Sequence, residues 1–370
     1  MAVEFVNAIS TRRDRLPYDA RRAFAAGIDP DWLRRYARTI EEFGFDYTLV
    51  PYGSAGFDQY VISAAVLEAT TRLKTVVAVR PNTAFPTVAA QALATLDQLG
   101  GGRSIVHIIS GGSDEEQRRQ GDYLSKEQRY ERSGEFVDIL RRTWTGEEPF
   151  SYDGEYYRFE DFGPGIRPLD GKALPVSLGG SSDFAYRVGG RTADIFALWG
   201  EPLAETKQQI DRVYEEAHAA GRDERLRFWV TFRPIVAETD ELAWRRAESL
   251  LGELEKTHAA FNRPEATNVG TVRLRDIAEG KERHDRALWT PRAIAGAGGA
   301  SSLLVGSPET IAAAILDYVD LGADIVSLPS LGNIGEAIDT GRYIIPLVRE
   351  ALAAREAGAA AAVSAVPDTV

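Results

Sequence analysis

Two short runs carry residue types that hold a ligand through backbone and hydroxyl groups. They are His107-Ile108-Ile109-Ser110-Gly111-Gly112-Ser113 and Leu178-Gly179-Gly180-Ser181-Ser182-Asp183. The first follows an apolar run, and its small residues let a ligand lie close to the backbone. A Gly-Gly turn beneath a core histidine is the plainer reading of the same letters. In the second run, glycines separate an apolar segment from a helix start. Free N–H groups there, with the Ser181 and Ser182 hydroxyls, suit a phosphate. A serine N-cap needs no ligand, yet the doubled Gly-Gly-Ser-Ser favours a phosphorylated substrate or cofactor.

Single residues add to this. Arg233 sits inside the apolar run FWVTFRPIV, where a charge is either paired or faces a cavity. It reads as an anion binder or as half of a structural salt bridge, and Arg80, ending VAVR, has the same two readings. Trp199, in ALWGEP, suits walling a planar ligand as well as plain packing. Tyr130, in EQRYERS, is placed on a helix as packing or as a second phosphate contact. The chain has no cysteine and four histidines, His107, His218, His258 and His284, none at metal-site spacing. Disulfides, thiolate metal sites and cysteine nucleophiles are thereby excluded. The chemistry points to a borrowed cofactor or to backbone and Arg, Tyr and Ser groups.

The elements that must position these residues alternate regularly. Apolar strand candidates fall at 3–8, 47–51, 73–79, 104–109, 175–178, 194–198, 228–236 and 325–328. Helical spacing fills 31–43, 58–69, 86–99, 125–144, 203–220 and 334–352, with another helix starting at 182. Strands apolar on both faces, alternating with helices, predict a parallel α/β architecture. With no GxGxxG after the first strand, a (βα)8 TIM barrel fits better than a doubly wound sheet. The run FSYDGEYYRFEDF predicts a hairpin with a type I′ turn at Asp153-Gly154. Residues 252–302, with the stretch AIAGAGGASS, read as an insertion carrying a mobile lid loop or as a surface excursion. One domain is expected over 1–355, with a flexible tail over 356–370.

A net charge of −12, from 43 Lys plus Arg against 55 Asp plus Glu, argues against nucleic acid or an anionic membrane as partner. The N-terminal run is too short, and continues too polar, for a signal peptide. No apolar run approaches the ~20 residues of a membrane span. A cytoplasmic protein is expected.

Several runs taken together resemble the bacterial-luciferase-like flavin monooxygenases, nearest to the alkanesulfonate monooxygenase group. They are RLKTVVAVRPNTAFPTVAAQALATLDQLGGGRSIVHIISGGSDEE, LSKEQRYERSGEFVDILRRTWTGE, FSYDGEYY, LGGSSDFA and ALWGEP. The likeness is dense from residue 43 to 241 and resumes at LLVGSPETIAAAILDYVDLGAD through IPLV. It implies a TIM barrel with a lid, and reduced FMN supplied by a separate NAD(P)H-dependent flavin reductase. It further implies O2 activation on that flavin, oxygenation of a small organic substrate, and a homodimer or homotetramer. It places phosphate at Gly180, Ser181, Ser182 and Tyr130, the flavin ring near Ser110 and Gly111, and Trp199 on the substrate side.

Departures from the group fall on that substrate side. His107 stands where the group carries Asn beside the flavin, and Thr231-Phe232-Arg233 replaces Arg-x-His. Arg292 lies near a lid arginine that is itself replaced. Arg233 and His107 are therefore the candidate catalytic groups: Arg233 for an anion or developing charge, His107 for the flavin edge, where its titration range suits proton handling. Trp199, Arg233 and Arg292 are the candidate substrate contacts. An alkanesulfonate-like organosulfur compound, cleaved at C–S, is one expected substrate; a sulfone, amine or heteroaromatic compound is the alternative. A deazaflavin-dependent oxidoreductase and a flavin-binding protein without turnover are the competing functions.

Overall fold

The computed structural model describes residues 3–13, 27–163, 165–259, 268–296, 301–330 and 333–364. Eight parallel strands close a barrel, each at a position the apolar runs predict: β1 (Glu4–Ala8), β2 (Tyr47–Val50), β3 (Lys74–Val79), β4 (Ser104–Ile108), β7 (Val176–Gly179), β8 (Ile195–Trp199), β9 (Arg227–Thr231) and β14 (Ala323–Ser327). The chain is a TIM barrel.

Period-two alternation divides the strand residues. Phe5, Val77, Val106, Leu178, Phe196, Phe228 and Val326 point outward and are buried under the helices. Val6, Val76, Ile105, Ile195, Trp229 and Ile325 point inward and pack together as one layer. Beneath that layer charges close the barrel's lower end. Glu4 pairs with Arg227 and Lys74 and accepts a hydrogen bond from the Tyr47 hydroxyl at 2.9 Å.

Helix boundaries follow their caps. α1 (Pro30–Glu42), α2 (Gln59–Ala69), α5 (Lys126–Thr145) and α6 (Asp183–Thr192) begin after Asp29, Asp58, Ser125 and Ser182, whose side chains accept from first-turn N–H groups. α3 (Pro86–Leu99) begins on a proline. Between α3 and α5 lies the short α4 (Asp114–Arg118). α7 (Leu203–Ala219) and α10 (Pro308–Asp320) complete the layer around the strands just described.

Three expectations change. The run 228–236 is two strands, because β9 stops at Thr231 and β10 (Arg233–Val236) leaves the barrel to pair with β13 (Leu303–Gly306). Phe232 makes the break. Its ring is buried against Tyr318, centroids 4.6 Å apart, and fills the space beside Gly200 that a Cβ would take. The hairpin exists, as β5 (Phe150–Asp153) and β6 (Arg158–Phe162), but Gly154 to Tyr157 form a four-residue loop between the paired Asp153 and Arg158. The Glu135 carboxylate of α5 sets that loop by accepting from the N–H groups of Glu155, Tyr156 and Tyr157 at 2.8, 3.0 and 3.2 Å. Inside the loop the Gly154 N–H donates to the Tyr157 carbonyl at 3.0 Å, so the chain reverses at Glu155-Tyr156 and not at Asp153-Gly154.

The segment 252–302 is largely regular where described. It holds the end of α8 (Asp240–Ala259), then α9 (Val269–Gly280), β11 (Arg283–His284) and β12 (Leu288–Trp289). β12 joins β10 and β13 in a small separate sheet. Residues 260–267 and 297–300, the centre of the expected lid, lie outside the described residues. After α11 (Ile334–Asp339) and a π-turn, α12 (Ile345–Ser364) runs through the first part of the expected tail; 365–370 lie outside. Among the described residues no helix is long and apolar enough to cross a membrane.

Replacing Glu135 with Ala removes the acceptor shared by three loop N–H groups, at a cost of about 1–3 kcal/mol. Hydrogen exchange is expected to speed at residues 155–157 while barrel amides keep their protection. Unchanged exchange there would show that Glu135 does not hold the loop.

Candidate functional site

Above the inward apolar layer, three of the next inward positions are small. Ala8, Gly179 and Ala197 line a cavity of about 420 Å³ at the strands' C-terminal ends. Trp229 pairs in register with Ala197, and Gly179 pairs with Ala197 on its other side. A Cβ on Gly179 would lie 2.8 Å from the Ala197 carbonyl. Leu49, His107, Trp199, Thr231 and Ser327 complete the inner wall.

His107 lies in the register pair with Ser177, and its Nδ1 shares a hydrogen bond with the Ser177 hydroxyl at 3.0 Å. The ring meets Trp229 at 5.3 Å between centroids. Burial pushes the imidazole down to about 4. At neutral pH it is an uncharged hydrogen-bonding ring and not a store of protons, which corrects the reason for nominating it.

The β4 exit is held open. Ser110 and Gly111 line the cavity. Gly111 has φ +85°, and a side chain there would run into Gln117. The Ser110 hydroxyl bonds that of Ser133 at 3.1 Å. Arg129, which the sequence reading passed over, is buried and clamps this exit. Its guanidinium donates to the Ser110 carbonyl at 3.0 Å, the Leu124 carbonyl at 2.7 Å and Asp114 at 2.8 Å. The visible clue is Ser125-x-x-Gln128, a capping box that fixes the helix start just before Arg129.

At the neighbouring exit, after β7, Gly180 (φ +148°) sits so close to the Tyr130 hydroxyl and Ala185 that no Cβ fits. Tyr130 donates to the Gly179 carbonyl at 3.2 Å, and burial pushes its phenol up to about 12. Ser182 caps α6, accepting from Ala185 N–H at 3.3 Å. Ser181 is shared between the cavity and a cleft of about 440 Å³ along the start of α6, which Ser182, Arg212 and Arg273 also line. Arg273 is held by the buried Glu201 through bonds of 2.9 and 2.6 Å. Lys126 also faces the cavity, where burial and the neighbouring Arg129 push its ammonium below the usual lysine range. Glycine backbone, two hydroxyls, a helix N-terminus and nearby cations thus converge on one rim.

Trp199 is covered by the insertion. A Cβ on Gly270 of α9 would lie 3.0 Å from the indole, and Asn268, the α9 cap, also lines the cavity. Neither was singled out from the sequence, because nothing local says where α9 docks.

The structure does not bring the arginines to this cavity. Arg233 is fully buried, 3.5 Å from Glu336, and none of its nitrogens is among the lining atoms. Arg292 donates to the Ala278 and Glu279 carbonyls at 3.0 and 2.9 Å, capping the end of α9. Arg80 pairs with Glu116 at 3.1 Å and covers the Tyr52 ring.

Solved structures of similar shape fit this geometry. The fold matches riboflavin lyase, determined with modified FMN and riboflavin, at TM-score 0.73 and 19% identity over 95% of this chain and 92% of that one. EDTA monooxygenase from Chelativorans sp. BNC1 matches at TM-score 0.73 and 18% identity, over 95% and 94%. Long-chain alkane monooxygenase matches at TM-score 0.74 and 16% identity, over 95% and 92%. At such identities they speak for the fold. Residues 5–324 match the sequence model of the luciferase-like monooxygenases, and the chain belongs to that family.

Proposed function

We propose that this chain is the oxygenating component of a two-component system, a cytoplasmic enzyme that takes reduced FMN from a separate NAD(P)H-dependent flavin reductase and uses O2 to oxygenate a small organic substrate. The observation that carries the reading is the cavity's two-ended chemistry: a rim at Gly180 and Ser181 that continues into the cleft at Ser182, suited to an anion, and an apolar chamber walled by Trp199 and Trp229. One amphiphilic cofactor with a phosphate and a flat ring suits both ends, and the similar riboflavin lyase holds a modified FMN. Bound there, reduced FMN would supply the electrons that activate O2.

The chain's own groups would bind, orient and exclude water. The α6 N–H groups and the Ser181 and Ser182 hydroxyls bind phosphate, helped by the positive helix end. Tyr130 props the Gly179-Gly180 backbone so that those donors stay in place. Gly111 leaves backbone bare for a ring edge, and the neutral His107 offers that edge a hydrogen-bonding nitrogen. Trp199, covered by Gly270 of α9, shuts water out of the chamber, which strengthens each polar contact inside it.

A chamber lined by Trp199 and Trp229, away from Arg80, Arg233 and Arg292, favours an uncharged apolar or aromatic substrate over a sulfonate. Assembly is proposed as a homodimer or homotetramer, with Val61 of α2 and Val88 of α3, apolar side chains 66% and 56% exposed, as candidate contacts. Lysine at both positions is expected to shift sedimentation towards monomer; an unchanged oligomer would place the contact elsewhere.

FMN is expected to bind at least ~10-fold tighter than riboflavin, measured by flavin fluorescence quenching, since charge-assisted phosphate contacts are the strong ones. Ser181→Asp sets a carboxylate against the phosphate and should abolish that preference while riboflavin binding persists. Equal affinities in the native protein would remove the phosphate assignment. Preferential binding of coenzyme F420, with no O2 uptake when reduced FMN and substrate are added, would overturn the function itself.

His107 gives a pH prediction. Its folded value lies below the ordinary 6.5, so the unfolded chain binds more protons in the window from 6.5 down to 4. Stability is therefore fully present above about 6.5 and falls through that window, by about 3 kcal/mol in total. Urea titrations of His107→Gln should show a flatter dependence between pH 6.5 and 4. An identical slope would mean the ring titrates normally.

A further inference from the structure

Ser177 is fully enclosed on β7, with His107 of β4 and Ile195 of β8 as its register neighbours. Among the described residues its hydroxyl makes one hydrogen bond, with His107 Nδ1 at 3.0 Å. A hydroxyl and a neutral imidazole can make that bond in either direction. If Nδ1–H donated, the hydroxyl's own hydrogen would be left facing the apolar layer of Val76, Ile105 and Ile195. Trp229 brings that layer only another donor, and its Tyr47 hydroxyl is bonded to Glu4 at the barrel's lower end. A buried donor without an acceptor is costly, whereas a hydroxyl oxygen with a spare lone pair is not. The bond therefore runs from the Ser177 O–H to Nδ1, and the ring proton sits on Nε2. That nitrogen bonds to no described residue, yet it is not one of the enclosed unpartnered atoms. Its open side is the cavity that His107 lines.

We propose that Ser177 is a positioning residue that holds His107 in the Nε2–H tautomer, so that the cavity wall at β4 presents a donor to a ring carbonyl oxygen of the flavin. An asparagine in this place could turn either a donor or an acceptor to its ligand. A histidine locked from behind offers the donor alone. Flavin N5 accepts a hydrogen bond when oxidised and carries an N–H when reduced, so a fixed donor beside it would oppose the reduced form. The two ring carbonyls accept in both states, and a site built around a donor rejects a ligand that cannot fill it. The carbonyl contact rests on the assignment of the cavity to flavin; the tautomer stands without it.

The tautomer is read on flavin-free protein labelled with 15N at histidine alone, through long-range couplings from the ring carbon protons. His107→Gln identifies the His107 nitrogens by their loss from the four-histidine spectrum. At neutral pH Nδ1 is expected at the shift of an unprotonated nitrogen and Nε2 at that of a protonated one. In Ser177→Ala the two shifts should draw together as the tautomers mix, and Ser177→Thr, which keeps the hydroxyl, should keep the native pattern. FMN and riboflavin carry the same ring, and each should move the Nε2 shift of the native protein. Flavin affinity should fall in Ser177→Ala by up to about fivefold, the worth of one net hydrogen bond.

A proton on Nδ1 in the native protein, or a native pattern that survives in Ser177→Ala, overturns the role of Ser177. An Nε2 shift indifferent to both bound flavins removes the carbonyl contact. Should Ser177→Ala fail to fold, the native and Ser177→Thr spectra decide. Should neither flavin bind, the cofactor assignment falls separately, and the tautomer is judged on the flavin-free spectra.

Discussion

Everything at this site depends on a step in side-chain size inside the barrel. A closed eight-stranded barrel has room for little beyond its own inward side chains. Here the middle layer is filled by Val6, Val76, Ile105, Ile195, Trp229 and Ile325. One step further along the strands the inward residues shrink to Ala8, Gly179 and Ala197, and the unfilled space becomes the cavity. Trp229 is the bulky member of its layer that still reaches that space, so the chamber floor is an indole. A leucine at Ala197 or Gly179 would close the chamber from within while leaving the outer helices untouched.

Charge is distributed to match. Removing an ion from water costs several kcal/mol unless it is paired, and the barrel keeps its inward charges at the lower end, where Glu4 serves Arg227 and Lys74 together. Arg129 stands with three acceptors of its own. At the opposite end the N–H groups at the start of α6, with Lys126, Arg212 and Arg273 nearby, put positive potential on the rim and not on the floor. A single cavity can therefore hold a charged group at one end and a neutral one at the other.

The barrel was legible because most residues of its strands are buried on both faces, and so read as largely apolar runs. The caps at Asp29, Asp58, Ser125 and Ser182 were legible because capping is a local contact. So were the glycine–serine exits of β4 and β7, where small residues mark close backbone approach. What escaped was set by contacts distant in sequence. Phe232 ends β9 through Tyr318 and Gly200, and nothing in FWVTFRPIV announces it. Glu135 shapes a loop some twenty residues downstream. Arg292 and Arg233 looked like ligand arginines from type and neighbourhood, but Arg292 caps a helix end and Arg233 lies buried 3.5 Å from Glu336, both set by tertiary packing.

That last difference bears on how the enzyme selects its substrate. A guanidinium in the chamber would draw anions over long range and admit any of sufficient size. The Arg233 guanidinium instead lies buried beside Glu336, which Arg246 also approaches at 3.8 Å. The neutral polar side chains on the described inner wall, His107, Thr231, Ser327 and Asn268, act only at contact distance, so apolar contact precedes polar contact for a molecule that enters. The cover of α9 over Trp199 favours the same order, since a dry chamber penalises a charged entrant most. Among the described lining residues the inner wall is thus apolar or neutral and polar, and the charge of Lys126 stands at the rim.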